Sequence, residues 1–165
     1  MKYLPFERIT YRTNLSEQEV LTKLSSFVEP RKFGLGRNQI KEYEGYIDNY
    51  SFEISRVIKY RNSFLPEISG RLQKNNLNLG TQIEVTMKLN LFVLFFLLVW
   101  CSFALFFFLG ISMKSIRDKE ISVEFFIPLL MLLFIYALTI LSFKMESKRT
   151  KEYLKKSFQA EIIKE

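Results

Sequence analysis

The chain has 165 residues and a formal net charge of +7, with a single cysteine and no histidine. The missing histidine excludes most metal sites, the serine and cysteine triads that use imidazole, and histidine-based pH switches. A single cysteine cannot form an intrachain disulfide. Since no glycine-rich phosphate loop is found either, we expect a protein without a metal, a cofactor or an enzymatic activity.

The first part of the chain, residues 1–88, predicts an α+β domain that begins with a strand and a helix. Residues 6–14 are typical of a short strand, and Ser16 followed by Glu19 has the capping-box spacing of a helix start. Pro30 ends this helix. The apolar residues of the helix fall on one face: Val20, Leu21, Leu24, Phe27 and Val28.

Four more strands are predicted after this helix. Tyr43–Ile47 and Phe52–Ile58 flank the turn "DNY", and a third strand begins near Ile68. The fourth strand alternates strictly, with apolar residues at four positions: Ile83, Val85, Met87 and Leu89. The order β-α-β-β-β-β predicts a cytoplasmic antiparallel sheet that one helix covers.

Two uncharged apolar segments follow and predict a transmembrane hairpin. Leu89–Met113 contains 25 residues without Asp, Glu, Lys or Arg, and Phe125–Phe143 contains 19. A helix needs about 20 apolar residues to cross a bilayer. The lack of charge disfavours a transporter or a monomeric channel. We expect the hairpin at 89–143, with spans at about 91–112 and 125–143 and a loop at 114–124.

Basic residues near the span ends predict how the hairpin is oriented. Lys and Arg are enriched on the cytoplasmic side of membrane spans. The loop contains three of them, whereas six follow the second span closely: Lys144, Lys148, Arg149, Lys151, Lys155 and Lys156. We therefore expect a two-pass protein with both termini in the cytoplasm.

Residues 144–165 are predicted to form a basic, amphipathic C-terminal helix. Its apolar stripe contains Leu154, Phe158 and Ile162. Two interpretations are open: the six basic residues bind anionic lipid headgroups at the bilayer surface, or the helix packs against the sheet with its lysines in solvent. No basic-aromatic recognition motif accompanies the charge, so we expect no nucleic acid partner.

The stretch "IKYRNSFLPEISG", residues 58–70, interrupts the strand pattern and allows two interpretations. Asn, Ser and Pro are sufficient to build a connection between two strands. The alternative is a surface for a ligand or a protein partner, because two arginines can hold an anion. Catalysis is disfavoured, since no nucleophile with a base lies nearby. The candidate residues of this surface are Arg56, Tyr60, Arg61 and Asn62.

The runs "SFEISRVIKYRNSFLPEISGRL" and "GTQIEVTMKLNLFVLFFLLVW" resemble a group of small, uncharacterised bacterial membrane proteins with two spans. The resemblance covers roughly residues 43–100, and its most specific part is the core "YRNSFLPxIxG". It implies the bacterial inner membrane and a shared fold, and it assigns no reaction.

These patterns favour a non-enzymatic, membrane-anchored module for binding or scaffolding, whose ligand the sequence does not identify. A protein partner and a homo-oligomer are both open. The alternative is an oligomeric effector of a defence or toxin type that perturbs the bilayer when its cytoplasmic domain is triggered. A membrane enzyme is disfavoured, because the acidic residues of the predicted loop alternate with basic ones and are typical of a solvated turn.

Overall fold

The computed structural model describes residues 4–31, 41–58, 60, 62–74, 80–119 and 123–165. These residues form a mixed α+β fold with one seven-stranded sheet and three α-helices. The elements in chain order are β1 Phe6–Thr13, α1 Glu17–Phe27, β2 Val28–Pro30, β3 Tyr43–Ile47, β4 Ser51–Arg56, β5 Pro66–Lys74, β6 Thr81–Leu89, α2 Leu91–Asp118, a 3-10 turn Val123–Phe125, α3 Phe126–Ser157 and β7 Glu161–Lys164.

The strands lie in the order β2-β3-β4-β5-β6-β1-β7. All neighbours are antiparallel except β2 and β3, which are parallel. Pro66 at the start of β5 pairs with Leu89 at the end of β6, and Phe6 at the start of β1 pairs with Lys88. Arg56, the last residue of β4, lies at this same end of the sheet. We call it the hairpin end, because α2 begins there.

One face of the sheet is buried and forms the core. Along β6, the alternating residues Ile83 to Leu89 are at most 2% exposed, as the pattern predicts. Helix α1 packs on this face, and its capping box between Ser16 and Glu19 is confirmed. The C-terminal part of α3 packs there too, with Leu154 and Phe158 fully buried. The prediction that one helix covers the sheet is therefore wrong, because two do.

Helices α2 and α3 are long and apolar enough to cross a membrane. Only 6% and 11% of their most apolar 18-residue segments are buried, so these segments do not belong to the core of the sheet domain, unlike the C-terminal part of α3. Asn90 alone separates β6 from α2. Its side chain accepts a hydrogen bond from the Phe92 amide (2.7 Å) and donates one to Glu67 on β5 (2.6 Å). The first apolar helix is thus attached to the sheet without a flexible linker.

The structure corrects the predicted elements in three places. The sheet has seven strands in the described residues instead of five, because β2 and β7 add short outer strands, and β2 makes the sheet mixed. No separate C-terminal helix begins at residue 144, since α3 continues unbroken from Phe126 to Ser157. Ile162 was expected on the apolar stripe of that helix and lies in β7 instead.

Candidate functional site

Glu146 on α3 is the centre of the candidate site, and sequence reasoning missed it. Its side chain is 3% exposed, and its carboxylate accepts hydrogen bonds from Arg56 Nη1 (2.8 Å) and Arg149 Nη1 (3.2 Å). The Tyr60 hydroxyl donates a third hydrogen bond to it. A buried carboxylate needs such partners, because burial of an unpaired charge is costly.

The fold brings these groups together at the hairpin end of the sheet. Arg56 is the last residue of β4, Tyr60 lies in the connection from β4 to β5, and Glu146 is three residues beyond Phe143 on α3. The hydrogen bond to Glu146 raises the pKa of the Tyr60 hydroxyl, because it stabilises the protonated phenol. Tyr60 also accepts a hydrogen bond from Arg149 Nη1 at 3.3 Å. The tyrosine hydroxyl therefore links the buried acid to an exposed arginine.

An open groove of about 560 Å³ lies beside this cluster; we call it the Glu146 groove. It lies between the β4–β5 connection and α3. Its polar lining residues are Tyr60, Asn62, Ser63, Ser142, Glu146 and Arg149. Its apolar lining residues are Phe64, Leu138 and Met145. The groove therefore offers a charged part and an apolar part to one ligand.

Three of the four residues predicted for a ligand surface lie at this groove or bind Glu146. Arg56 and Tyr60 contact the Glu146 carboxylate, and Asn62 lines the groove. The Asn62 side-chain oxygen accepts the Phe64 amide hydrogen bond at 3.0 Å, which shapes the turn. Arg61 lies outside the described residues. The described residues of the stretch 58–70 thus contribute both a turn and one wall of the groove.

The six basic residues predicted to bind lipid headgroups lie on two faces of α3. Lys144, Lys148, Lys151 and Lys155 have the spacing of one helical stripe, and Arg149 and Lys156 lie on a different face. Arg149 lines the Glu146 groove. Lys144 and Lys151 form ion pairs with acidic residues of the domain. The other three are exposed on the helix: Lys148, Lys155 and Lys156. The stripe is therefore partly neutralised by ion pairs within the domain.

A second carboxylate, Glu7 on β1, fixes α3 from another side. Lys144 Nζ and the Ser147 hydroxyl donate hydrogen bonds to it at 2.6 Å and 2.5 Å, and Lys151 Nζ lies 3.9 Å away. Burial alone raises the pKa of Glu7, but these bonds and the two lysine charges outweigh burial and lower it. Glu7 and Glu146 therefore hold α3 to β1 and to β4 respectively.

The lowered pKa of Glu7 predicts an acid-dependent loss of stability. Because the native pKa lies below the ordinary value of 4.5, the carboxylate stabilises the fold at neutral pH, and this contribution is lost as the pH falls through the native pKa. Urea unfolding at a series of pH values measures the effect. In Glu7→Gln, the free energy of unfolding should fall less steeply as the pH is lowered into the acid range. Lys144→Met should move that loss to higher pH. An unchanged acid profile in Glu7→Gln contradicts the prediction.

The arrangement at the Glu146 groove can bind an anion. Two guanidinium groups and one carboxylate leave one net positive charge, and arginine forms directed hydrogen bonds with phosphate and carboxylate groups. The described residues contain no cluster of three or more acidic, histidine or cysteine side chains suited to a metal ion. No protein-family model, curated protein or solved structure matches this chain.

Proposed function

We propose that this is a two-pass protein of the bacterial inner membrane whose α+β domain is a non-enzymatic binding module held at the cytoplasmic face. Its ligand occupies the Glu146 groove. The proposal rests on the composition of that groove. One wall is the β4–β5 connection of the sheet domain, and the other is the part of α3 in which the apolar segment ends.

The position of the groove relative to the bilayer supports this function. Leu138 and Ser142 belong to the apolar segment that ends at Phe143, whereas Glu146 and Arg149 lie beyond it. The pairing of Pro66 with Leu89 puts the β4–β5 connection level with the start of α2 at Leu91. The groove thus spans the boundary between hydrocarbon and headgroups, where a tethered domain can reach ligands in or on the membrane.

The sequence supports the orientation and the location. The side of the hairpin that carries the termini and the sheet has more lysine and arginine residues than the loop on the other side. This distribution favours a cytoplasmic location for the sheet. The resemblance to small bacterial two-span proteins supports the inner membrane. The domain is attached to both spans directly, through Asn90 and through the unbroken α3, which keeps the groove at the boundary between hydrocarbon and headgroups.

Site-specific photocrosslinking in bacterial cells tests the binding function. A photoreactive amino acid replaces Ser63, which is exposed and lines the groove. We expect this position to crosslink one defined species, to be identified by mass spectrometry. Ser25, an exposed residue on α1, is the matched control and should not crosslink that species.

Two outcomes contradict the proposed function. The first is equal crosslinking at Ser63 and Ser25, which indicates random encounters. The second is crosslinking of Ser63 only to further copies of this chain, which favours the oligomeric effector. The orientation is tested separately with a Ser63→Cys variant in a Cys101→Ala background, which removes the native cysteine. Labelling of this variant by an impermeant thiol reagent added outside the cell would contradict the cytoplasmic orientation.

A further inference from the structure

We propose that the Glu146 groove binds the phosphate headgroup of one anionic phospholipid, with an acyl chain along its apolar wall. This inference rests on the proposed function and names the class of ligand. A lipid headgroup and a soluble phosphate would both bind through a phosphate group beside a guanidinium group. We assign the phosphate to a lipid of the bilayer, because part of the groove belongs to the apolar segment of α3.

The height of Arg149 matches that of lipid phosphates. Arg149 lies six residues beyond Phe143, which is about 9 Å along a helix axis at about 1.5 Å per residue. The headgroup layer on each side of the hydrocarbon is about 5–7 Å thick. Side chains on a helix point back toward its N-terminus, which for α3 means toward the bilayer. The guanidinium group is therefore directed into the headgroup layer.

Within the cluster, Arg149 is the residue whose remaining N–H donors can bind the ligand. Arg56 is directed at Glu146, and the Tyr60 hydroxyl donates to the same carboxylate. Arg149 contacts Glu146 and Tyr60 through Nη1 only, and its side chain is 54% exposed. A guanidinium group has five N–H donors, so it can bind a phosphate as well. Glu146 and Tyr60 hold it in position.

The remaining groove residues fit a phospholipid better than a soluble anion. Leu138 and Met145 are exposed on α3 and follow the helix from the apolar segment to the cluster. An acyl chain can therefore lie along Leu138 within the hydrocarbon and cover Met145, which lies two residues beyond Phe143 and would otherwise contact headgroups. Ser142 and Asn62 also line the groove, and their hydroxyl and amide groups can donate hydrogen bonds to the ester oxygens of such a lipid.

The other predicted lipid-binding residues are less suited to this role. Lys144 and Lys151 are already paired with Glu7 and Glu165. Lys155 lies twelve residues beyond Phe143, about 18 Å along α3 and therefore well outside the headgroup layer. Lys148 is at the right height and exposed, but it does not line the groove. It is the matched control for Arg149.

Native mass spectrometry of the full chain released from mixed vesicles tests the inference. The vesicles contain equal amounts of phosphatidylglycerol and phosphatidylcholine. We expect one phosphatidylglycerol molecule to be retained with about tenfold preference, and Arg149→Gln to lose that preference. Lys148→Gln should keep it within about twofold. Arg149→Lys, which keeps the charge without the planar fork, should fall between them.

Three outcomes overturn the lipid assignment. Equal losses in Arg149→Gln and Lys148→Gln indicate general surface charge. No preference in the unmodified chain indicates that no anionic lipid is selected. Binding of glycerol phosphate to the protein in phosphatidylcholine nanodiscs, as strong as that of phosphatidylglycerol, assigns the groove to a soluble phosphate. If Ser63 still crosslinks a defined species in these cases, only the lipid assignment fails and the proposed function stands.

Discussion

The substitution Leu154→Ala is expected to lower the free energy of unfolding of the sheet domain by about 3 kcal/mol. Leu154 is fully buried in the core between α3 and the sheet, together with Phe158. Replacing it with alanine removes three carbon atoms from a closed core and leaves a cavity, so the cost exceeds the transfer free energy of those atoms alone. Urea unfolding in detergent micelles, followed by pulse proteolysis, measures the effect.

The matched control is Leu4→Ala, at a residue that is 53% exposed. This control should change the free energy of unfolding by less than about 0.5 kcal/mol. The comparison separates the two interpretations of residues 144–165. If Leu154→Ala left the domain as stable as the control did, but weakened the attachment of the C-terminal segment to vesicles, a helix lying on lipid would be the better description.

The elements with strong local patterns could be predicted from the sequence. The capping box of Ser16 and Glu19, the strict alternation along β6 and the two uncharged segments each depend on neighbouring residues alone. Strands β2 and β7 have three and four residues, which is too short for an alternating pattern, and they exist because a neighbouring strand offers hydrogen bonds.

The end of α3 shows why helix boundaries are hard to predict here. Gln159 adopts a left-handed conformation with φ of 49°, a position at which glycine is usual. The amides of Gln159 and Ala160 donate to the carbonyls of Lys156 and Lys155, which is the Schellman pattern of a helix end. No glycine or proline marks this point in the sequence, and none interrupts α3 near Phe143 either.

The candidate site was partly predictable. Arg56, Tyr60 and Asn62 are conspicuous because they interrupt a strand pattern, but Glu146 lies 90 residues beyond Arg56 in a lysine-rich segment that is typical of a solvated surface. A signal was present in the helical spacing. The buried positions of this segment follow one face of the helix, three or four residues apart except for the adjacent pair Glu146 and Ser147, and the acid is among them: Phe143, Glu146, Ser147, Thr150 and Leu154.

The second large effect is expected from Arg56→Met, which should lower the free energy of unfolding by about 3 kcal/mol. Methionine keeps much of the apolar stem of arginine but removes the charge, so Glu146 loses its partner at 2.8 Å while its own side chain stays 3% exposed. Arg149 compensates only in part, because its side chain is 54% exposed and its charge is screened by solvent. The measurement is again urea unfolding in micelles.

Arg31→Met is the matched control, since Arg31 pairs with Glu44 at 3.7 Å and its side chain is 43% exposed. The control should cost less than about 1 kcal/mol. A double-mutant cycle with Glu146→Gln then isolates the pair: Arg56→Met should cost much less in the Glu146→Gln background, because no buried charge is left unpaired. Equal costs for Arg56→Met in both backgrounds would show that Arg56 acts through packing, and the ion pair would no longer explain how Tyr60 and Arg149 are held at the groove.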